Sequence, residues 1–217
     1  MEPTKVSKKL MMRLPIYLNH LKSMPVQTTN ISATTMAREL GLGDVQVRKD
    51  LAKVSCTGRC RTGRCRKELI QDIEAYLNFN AKTGAVVIGA GRLGQSLLDY
   101  GVFEEHGLNL MASFDINPSS KLSDSGKPIY PMKRLESFCR YYDVQIGIIA
   151  VPAENAQQVC NCLVACGINA IWNFAPTHLK VPEHVVVQSE NLALSLSALR
   201  MQIKHTDQSA TYSQDAS

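Results

Sequence analysis

A chain of 217 residues with 45% hydrophobic and 20% charged residues can bury a real core, which excludes a wholly disordered protein. No stretch approaches the roughly 18 consecutive apolar residues of a membrane span, and Arg13, Pro15, Asn19 and His20 interrupt the region where a signal peptide would carry its apolar run, so a soluble cytoplasmic protein is expected. The net charge of +5 hides a division: Met1–Lys67 holds 14 Lys and Arg against four Asp and Glu, a net of +10, whereas Glu68–Ser217 holds 10 against 15, a net of −5.

A net of +10 in the first third points to a polyanionic partner, DNA, RNA or anionic lipid; a merely solubilising basic face is the plainer alternative. The first predicted helix covers about Ser7–Ser23, where Leu10, Leu14, Tyr17, Leu18 and Leu21 recur at helical spacing. Pro15 inside it predicts a kink or a late restart, and Pro25 marks the exit. Ser32 is placed to N-cap a second helix with Met36, Ala37 and Leu40 on its apolar face. Gly41-Leu42-Gly43 makes a tight turn. Asp44 then caps a third helix, Val45–Val54, with Val47, Leu51 and Val54 on one side and Gln46, Arg48, Lys49 and Lys53 on the others. Two short helices across a glycine turn form a helix-turn-helix, whose second helix ordinarily enters the DNA major groove. In Thr57–Lys67, Gly58 and Gly63 bracket a basic tip, with five Lys or Arg in the nine residues from Arg59. That pattern predicts a β-hairpin wing laying guanidinium groups on phosphates or into the minor groove; a solvated basic loop is the alternative.

A linker helix, Leu69–Leu77, leads to the β-branched run Gly84–Ile88, a buried strand. Gly89-Ala90-Gly91-Arg92-Leu93-Gly94 follows at once, then a helical stretch, Gln95–Tyr100. A G-x-G-x-x-G between a buried strand and a helix is a dinucleotide-binding fingerprint. Its glycines permit the tight turn, the approach of a pyrophosphate and close helix packing, and the helix N-terminus favours the anion. A second strand, Asn109–Phe114, ends in Asp115, placed to accept from a ribose 2′-hydroxyl and to repel a 2′-phosphate, which predicts NAD(H) over NADP(H). Further strands are expected at Gln145–Val151, Ala170–Phe174 and Val185–Val187, with a helix over Glu154–Cys166. Such alternation builds a parallel sheet of Rossmann type, with ligands beyond the carboxyl ends of its strands. Ala150, Val151, Pro152 and Phe174 are thereby expected near a nicotinamide, although Pro152 and Phe174 serve equally well as packing residues.

A last helix, Asn191–Ile203, carries Leu192, Leu194, Leu196, Leu199 and Ile203, more than one narrow stripe needs. It suits docking on a second subunit or packing within its own domain. From His205 onward the chain is polar and expected to be disordered. Seven cysteines, an odd number, argue against a disulfide framework. Cys56, Cys60 and Cys65 lack the spacing of zinc ligands, so no metal site is expected, although nearby arginines could make them redox-active. Cys160, Cys162 and Cys166 read as small core residues.

The chain resembles the Rex family of redox-sensing transcriptional repressors from about Val6 to Ile203. The segments that carry the likeness are Gln46-Val47-Arg48-Lys49-Asp50-Leu51, the glycine fingerprint, Ile148–Ala153, and Trp172–Pro176 with Leu179–Pro182. The resemblance implies an α/β protein with a winged-helix DNA-binding domain (1–80) and a Rossmann NAD(H)-binding domain (81–188). A dimerising helix (189–204), swapped between the subunits of a homodimer, and a disordered tail (205–217) complete it. It implies a repressor that binds palindromic operator DNA when NADH is low and releases it when NADH binds. DNA would be contacted by Gln46, Arg48 and Lys49 of the recognition helix and by Arg59 and Arg61 of the wing. Tyr100 matches the family's switch tyrosine. Asn19 and Asn191 stand where many members carry an Arg–Asp pair, which removes a charge-assisted contact. The alternative, a small NAD-dependent oxidoreductase, lacks room for a substrate domain and offers only His178 as a proton carrier, so no enzymatic activity is expected.

Overall fold

The computed structural model describes residues 7–55, 63–79, 81–191, 193–197 and 199–203. The chain divides into two compact units, Met1–Lys82 and Thr83–Ser217.

In the first unit, α1 (Lys8–Ser23) runs unbroken through Pro15, so the late restart does not occur. Pro15 is exposed, and its missing N–H falls on the solvent side of a helix held by the buried stripe of Leu10, Leu14, Tyr17, Leu18 and Leu21. β1 (Asn30–Ile31), α2 (Ala33–Glu39), α3 (Asp44–Val54), β2 (Arg64–Cys65) and α4 (Arg66–Tyr76) follow. One apolar cluster joins the α1 stripe to Ile31, Met36, Ala37, Val47, Leu51, Leu69 and Ile73. Ser32 caps α2, its hydroxyl accepting from the Thr35 N–H at 3.0 Å. Asp44 opens α3 rather than capping it, since Gly43 precedes the helix. Its carboxylate instead accepts from Thr34 Oγ1 at 3.0 Å and Arg48 Nη2 at 2.8 Å, tying α2 to α3.

β2 pairs antiparallel with β1, Ile31 opposite Arg64. β1 has no sequence signature, because two residues carry no periodicity. Only the end of the predicted wing lies within the described residues; Cys56, Arg59, Cys60 and Arg61 fall outside them. Helix α4 begins three residues before the predicted Leu69, so Arg66 and Lys67 belong to it and not to a wing tip. The Arg66 guanidinium donates to the carbonyls of Leu21 (2.7 Å) and Pro25 (3.2 Å), which satisfies the free C-terminal end of α1.

In the second unit, six parallel strands form one sheet. They are β3 (Thr83–Ile88), β4 (Leu108–Asp115), β5 (Ile129–Pro131), β6 (Val144–Ile149), β7 (Ala170–Asn173) and β8 (Val186–Ser189), with α5 (Arg92–Leu98), α6 (Val102–Glu105), α7 (Leu135–Tyr141) and α8 (Ala153–Ala165) between them. The spatial order β5-β4-β3-β6-β7-β8 is the doubly wound 3-2-1-4-5-6 arrangement. β3 is apolar on both faces because helices cover both. Val86 and Ile88 meet Ala156, Val159 and Leu163 of α8, while Ala85 and Val87 cluster with Leu98 of α5. The connections reverse direction between β3 and β6, which opens a crevice beyond their carboxyl ends.

Residues 193–197 and 199–203 are helical. Asn191 caps this last helix, α9, its Oδ1 accepting from the Leu194 N–H at 3.0 Å. Leu194, Leu196, Leu199, Met201 and Ile203 along it are all more than half exposed. Among the described residues no helix is long and apolar enough to cross a membrane.

Candidate functional site

The glycine turn sits at the end of β3. Gly89 has φ +102°, and a side chain there would start 2.5 Å from the Ala150 carbonyl oxygen, so conformation and crowding both demand glycine. At Gly94, in the first turn of α5, a methyl would overlap the Gly89 carbonyl oxygen. Gly91 faces open space within 4 Å, where a ligand can come close to the backbone. The three glycines thus stand in different surroundings, and Arg92, Leu93 and Gly94 belong to the helix itself. Asp115 fixes the turn from the end of β4: Oδ2 accepts from the Ala90 N–H at 2.7 Å and Oδ1 from the Asn117 N–H at 2.9 Å. Gln95 closes it from α5, donating to the Ala90 carbonyl at 2.7 Å.

Beside the turn lies a cleft of about 330 Å³, within the range of small-molecule sites. Ile88, Phe114, Ile116, Met132, Val151 and Val159 make it mainly apolar, and Asp115, Asn155 and Gln158 supply polar atoms. Of the residues singled out from sequence, Gly89, Asp115, Val151 and Pro152 line this cleft. Ala150 and Phe174 do not; they pack against the cluster on the α5 face of the sheet. There Phe174 starts an aromatic series: Trp172 at 4.7 Å, Phe103 edge-on to Trp172 at 5.4 Å, and Tyr100 edge-on to Phe103 at 5.0 Å. Tyr100 ends the series 53% exposed. Trp172 also donates its indole N–H to Glu190 Oε1 at 3.3 Å, one residue before the cap of α9. Phe103, the ring that joins Tyr100 to Trp172, lies in a stretch with no assigned motif, so the series as a whole was not legible beforehand.

In the first unit, Gln46, Arg48 and Lys49 stand exposed on α3, and Asn19 is exposed on α1. On the buried face of α3 lies a charged group. Asp50 is 2% exposed. It receives Arg13 Nε at 2.7 Å and Nη2 at 3.0 Å, the Tyr17 hydroxyl at 2.9 Å, and Gln46 Nε2 at 2.8 Å. Burial alone would raise the Asp50 carboxyl, but the donors from Arg13, Tyr17 and Gln46 together outweigh it and hold the group below the usual carboxylate range. Burial, followed by the bond to this anion, pushes Tyr17 up to about 12. The signal was legible: Asp50 lies three residues after Val47 on the stripe that Leu51 and Val54 continue, and Arg13 and Tyr17 lie one turn apart on α1.

The cysteine expectation needs correction at one position. Cys160 is buried and Cys166 half-buried, but Cys162 is exposed and lines the cleft. Burial pushes the Cys160 and Cys166 thiols up. Among the described residues no cluster of His, Cys, Asp and Glu could hold a metal ion. His178 is exposed in the loop after β7.

Comparison with known proteins gives both units relatives. Residues 80–177 match a family model described as a CoA binding domain, and residues 5–52 match one for the N-terminus of a DNA-binding protein. The chain is 39% identical over 189 residues to the redox-sensing transcriptional repressor Rex of Treponema denticola, covering 86% of this chain and 90% of that protein. The corresponding protein of Bacteroides thetaiotaomicron is 35% identical over 198 residues, covering 90% of each chain. Among solved structures, RSP in complex with β-NADH matches with a TM-score of 0.86 at 31% identity, covering 97% of this chain and 100% of that one. RSP in complex with β-NAD+ and operator DNA also gives 0.86, at 30% identity, over 99% and 100%.

Proposed function

The chain belongs to the Rex family of redox-sensing transcriptional repressors, and from that premise we propose that it binds a palindromic operator when NADH is scarce and leaves it when NADH binds. The observation that carries this is the pairing of two units in one chain: a basic helix pair with α3 exposed, and a doubly wound sheet with a clamped glycine turn. It acts in the cytoplasm and catalyses no reaction of its own.

The residues of the second unit fit a dinucleotide. Gly91 leaves the backbone open to a pyrophosphate, and the first-turn amides of α5, with Arg92 and Leu93 beside them, favour its charge. Gly89, Ala90 and Gly94 shape that turn. Asp115 keeps lone pairs beyond its two backbone bonds and takes the ribose hydroxyls. The same carboxylate repels a ribose phosphate, which disfavours NADP(H) and equally the phosphorylated ribose of coenzyme A. Val151 and Pro152 floor the cleft, and Ala150 and Phe174 serve the nicotinamide end through the aromatic series to the switch residue Tyr100.

Arg48 and Lys49 hold the operator from α3, with Gln46 at its edge and Arg59 and Arg61 of the wing on neighbouring phosphates. A homodimer forms through α9, whose exposed apolar residues a swapped position would cover. Asn19 and Asn191 lack the charge of an Arg–Asp pair, so the state that such a pair stabilises is less favoured here. The domains run 1–80, 81–188 and 189–204, with the tail beyond.

The effect is a linkage: NADH must bind the DNA-incompetent dimer more tightly, and operator must weaken NADH by the same factor. Coupling of about 1–3 kcal/mol changes operator affinity roughly 5- to 150-fold. The test is operator binding at fixed salt, titrated with NADH and NAD+ separately. NADH should weaken binding and NAD+ should do so far less. An operator affinity unchanged at saturating NADH would refute the sensor.

A further inference from the structure

We propose that Asp50 sets the direction of the Gln46 side-chain amide, so that Gln46 reads an exocyclic amino group on a base in the major groove, with adenine preferred. The inference rests on the DNA-binding role of α3 proposed above.

Asp50 is ionised, and a carboxylate only accepts hydrogen bonds. Gln46 Nε2 lies 2.8 Å from Asp50 Oδ1, so the amide nitrogen must face inward; the reverse orientation would set two oxygens against each other. Asp50 cannot turn away to relax this. Its two oxygens are already fixed by a two-point contact from Arg13 and by the Tyr17 hydroxyl, and the group is 2% exposed. One amide hydrogen of Gln46 is thereby spent. The carbonyl oxygen and the second amide hydrogen remain on an exposed side chain in the first turn of α3, the part of a recognition helix that reaches base edges.

An outward acceptor beside an outward donor has one full match among the bases. Adenine offers an N6 donor beside the N7 acceptor. Cytosine offers N4 alone and satisfies only the carbonyl. Guanine and thymine present only acceptors, N7 and O6 or O4, which can take the second amide hydrogen but leave the Gln46 oxygen without a donor. Gln46 is thus the specificity residue and Asp50 a positioning residue, while the Arg48 guanidinium is drawn to Asp44 at 2.8 Å.

The experiment is parallel selection of duplexes from a random library by the full-length protein and by Gln46→Met, which keeps the length of the side chain without its amide. One position per half-site should favour adenine for the parent and lose that preference for the variant. Replacing that adenine by purine, which lacks the amino group, should cost the parent roughly 5- to 150-fold in affinity and cost Gln46→Met nothing. A preference that survives in Gln46→Met, or an equal penalty in both, overturns the proposal. Asp50→Asn tests positioning: its own amide can donate to the Gln46 oxygen, so the preference should relax toward guanine or thymine. Unchanged adenine preference in folded Asp50→Asn overturns the role of Asp50. Should that variant not fold, the Gln46 side-chain amide signals of the parent, followed by NMR as pH falls through the Asp50 titration, decide the point. They should move with it, and static signals overturn the positioning. If neither protein enriches any duplex, the DNA-binding role falls, and this inference falls with it.

Discussion

The first unit buries a charge on the inner face of α3; among the described residues the second unit buries none. Asp50 lies on the buried face of α3 with three side chains bonded to it, whereas among the described residues the interior of the second unit is apolar except for Ser113, Ser123 and Asn173, each hydrogen-bonded. The difference follows from architecture. A parallel sheet satisfies its own backbone and needs only apolar side chains between layers, so polar groups gather at strand ends, where Asp115 stands. Short helices packed at angles leave gaps, and one well-bonded ion fixes their register at a cost in desolvation. The first unit therefore trades stability for a defined side-chain orientation, and the second keeps a rigid frame and places its chemistry at the rim.

Breaking the buried pair should produce the largest effect. Arg13→Ala leaves Asp50 buried with only neutral donors, and the expected cost is about 3–5 kcal/mol of first-unit stability. NADH affinity should hold. Chemical denaturation followed by circular dichroism, with NADH binding measured alongside, checks this; a loss under about 1 kcal/mol would mean that water already reaches Asp50. The same contact has a pH signature. Because the folded Asp50 carboxyl titrates below its unfolded value of about 3.9, its contribution is complete above that value and disappears as pH falls through the folded one. Acid melting of the parent should thus be steeper than that of a folded Asp50→Asn variant.

In the second unit the matching break is steric. Gly94→Ala drives a methyl into the Gly89 carbonyl, which costs about 3 kcal/mol, the upper end for overpacking, and displaces the turn. NADH binding should fall below detection in a titration that the parent saturates, while operator binding survives. An unaltered NADH affinity would mean that α5 can shift outward freely.

Asp115→Ala sharpens the comparison, because this rim carboxylate holds the Ala90 amide as well as facing the ribose. Losing bonds to a charged acceptor is worth about 1.5–3 kcal/mol, or roughly 10- to 150-fold in NADH affinity. Asp115→Asn should recover part of that, and calorimetric titration of both separates them. Equal loss of operator binding would show that the effect is not confined to the second unit.

How much of this was visible beforehand follows the same division. The sheet was legible because Ala85-Val86-Val87-Ile88 is a continuous apolar run and glycines at fixed spacing follow it. β5 was not: it has three residues ending in a proline and sits at the sheet edge. Helix ends shifted by a few residues, as at α4, where Arg66 and Lys67 look basic in sequence but Arg66 closes α1 through carbonyls more than forty residues away. The cofactor turn was readable because its chemistry is local. Of the Asp50 cluster only the place of Asp50 on the apolar stripe of α3 was readable, because its partners Arg13 and Tyr17 lie 37 and 33 residues distant. A charged residue also reads as surface until its place on an apolar stripe is counted.

The smallest expected effect concerns the link from the aromatic series to α9. Trp172 is the chain's one tryptophan, so its emission reports this place alone. Trp172→Phe keeps an aromatic ring between Phe103 and Phe174 and removes only the N–H that reaches Glu190 at 3.3 Å. That distance is long, and Gln188 also donates to the same oxygen at 3.3 Å, so Glu190 keeps a partner. The stability cost should therefore stay near 0.5 kcal/mol, the low end for a net hydrogen bond. If the series carries the cofactor signal toward α9, NADH should shift parent Trp172 emission, and Trp172→Phe should reduce the ratio of operator affinities without and with NADH while leaving each binding reaction intact. A ratio equal to the parent's would assign the series to packing alone, and the path from the cofactor to α9 would then have to run elsewhere in the second unit.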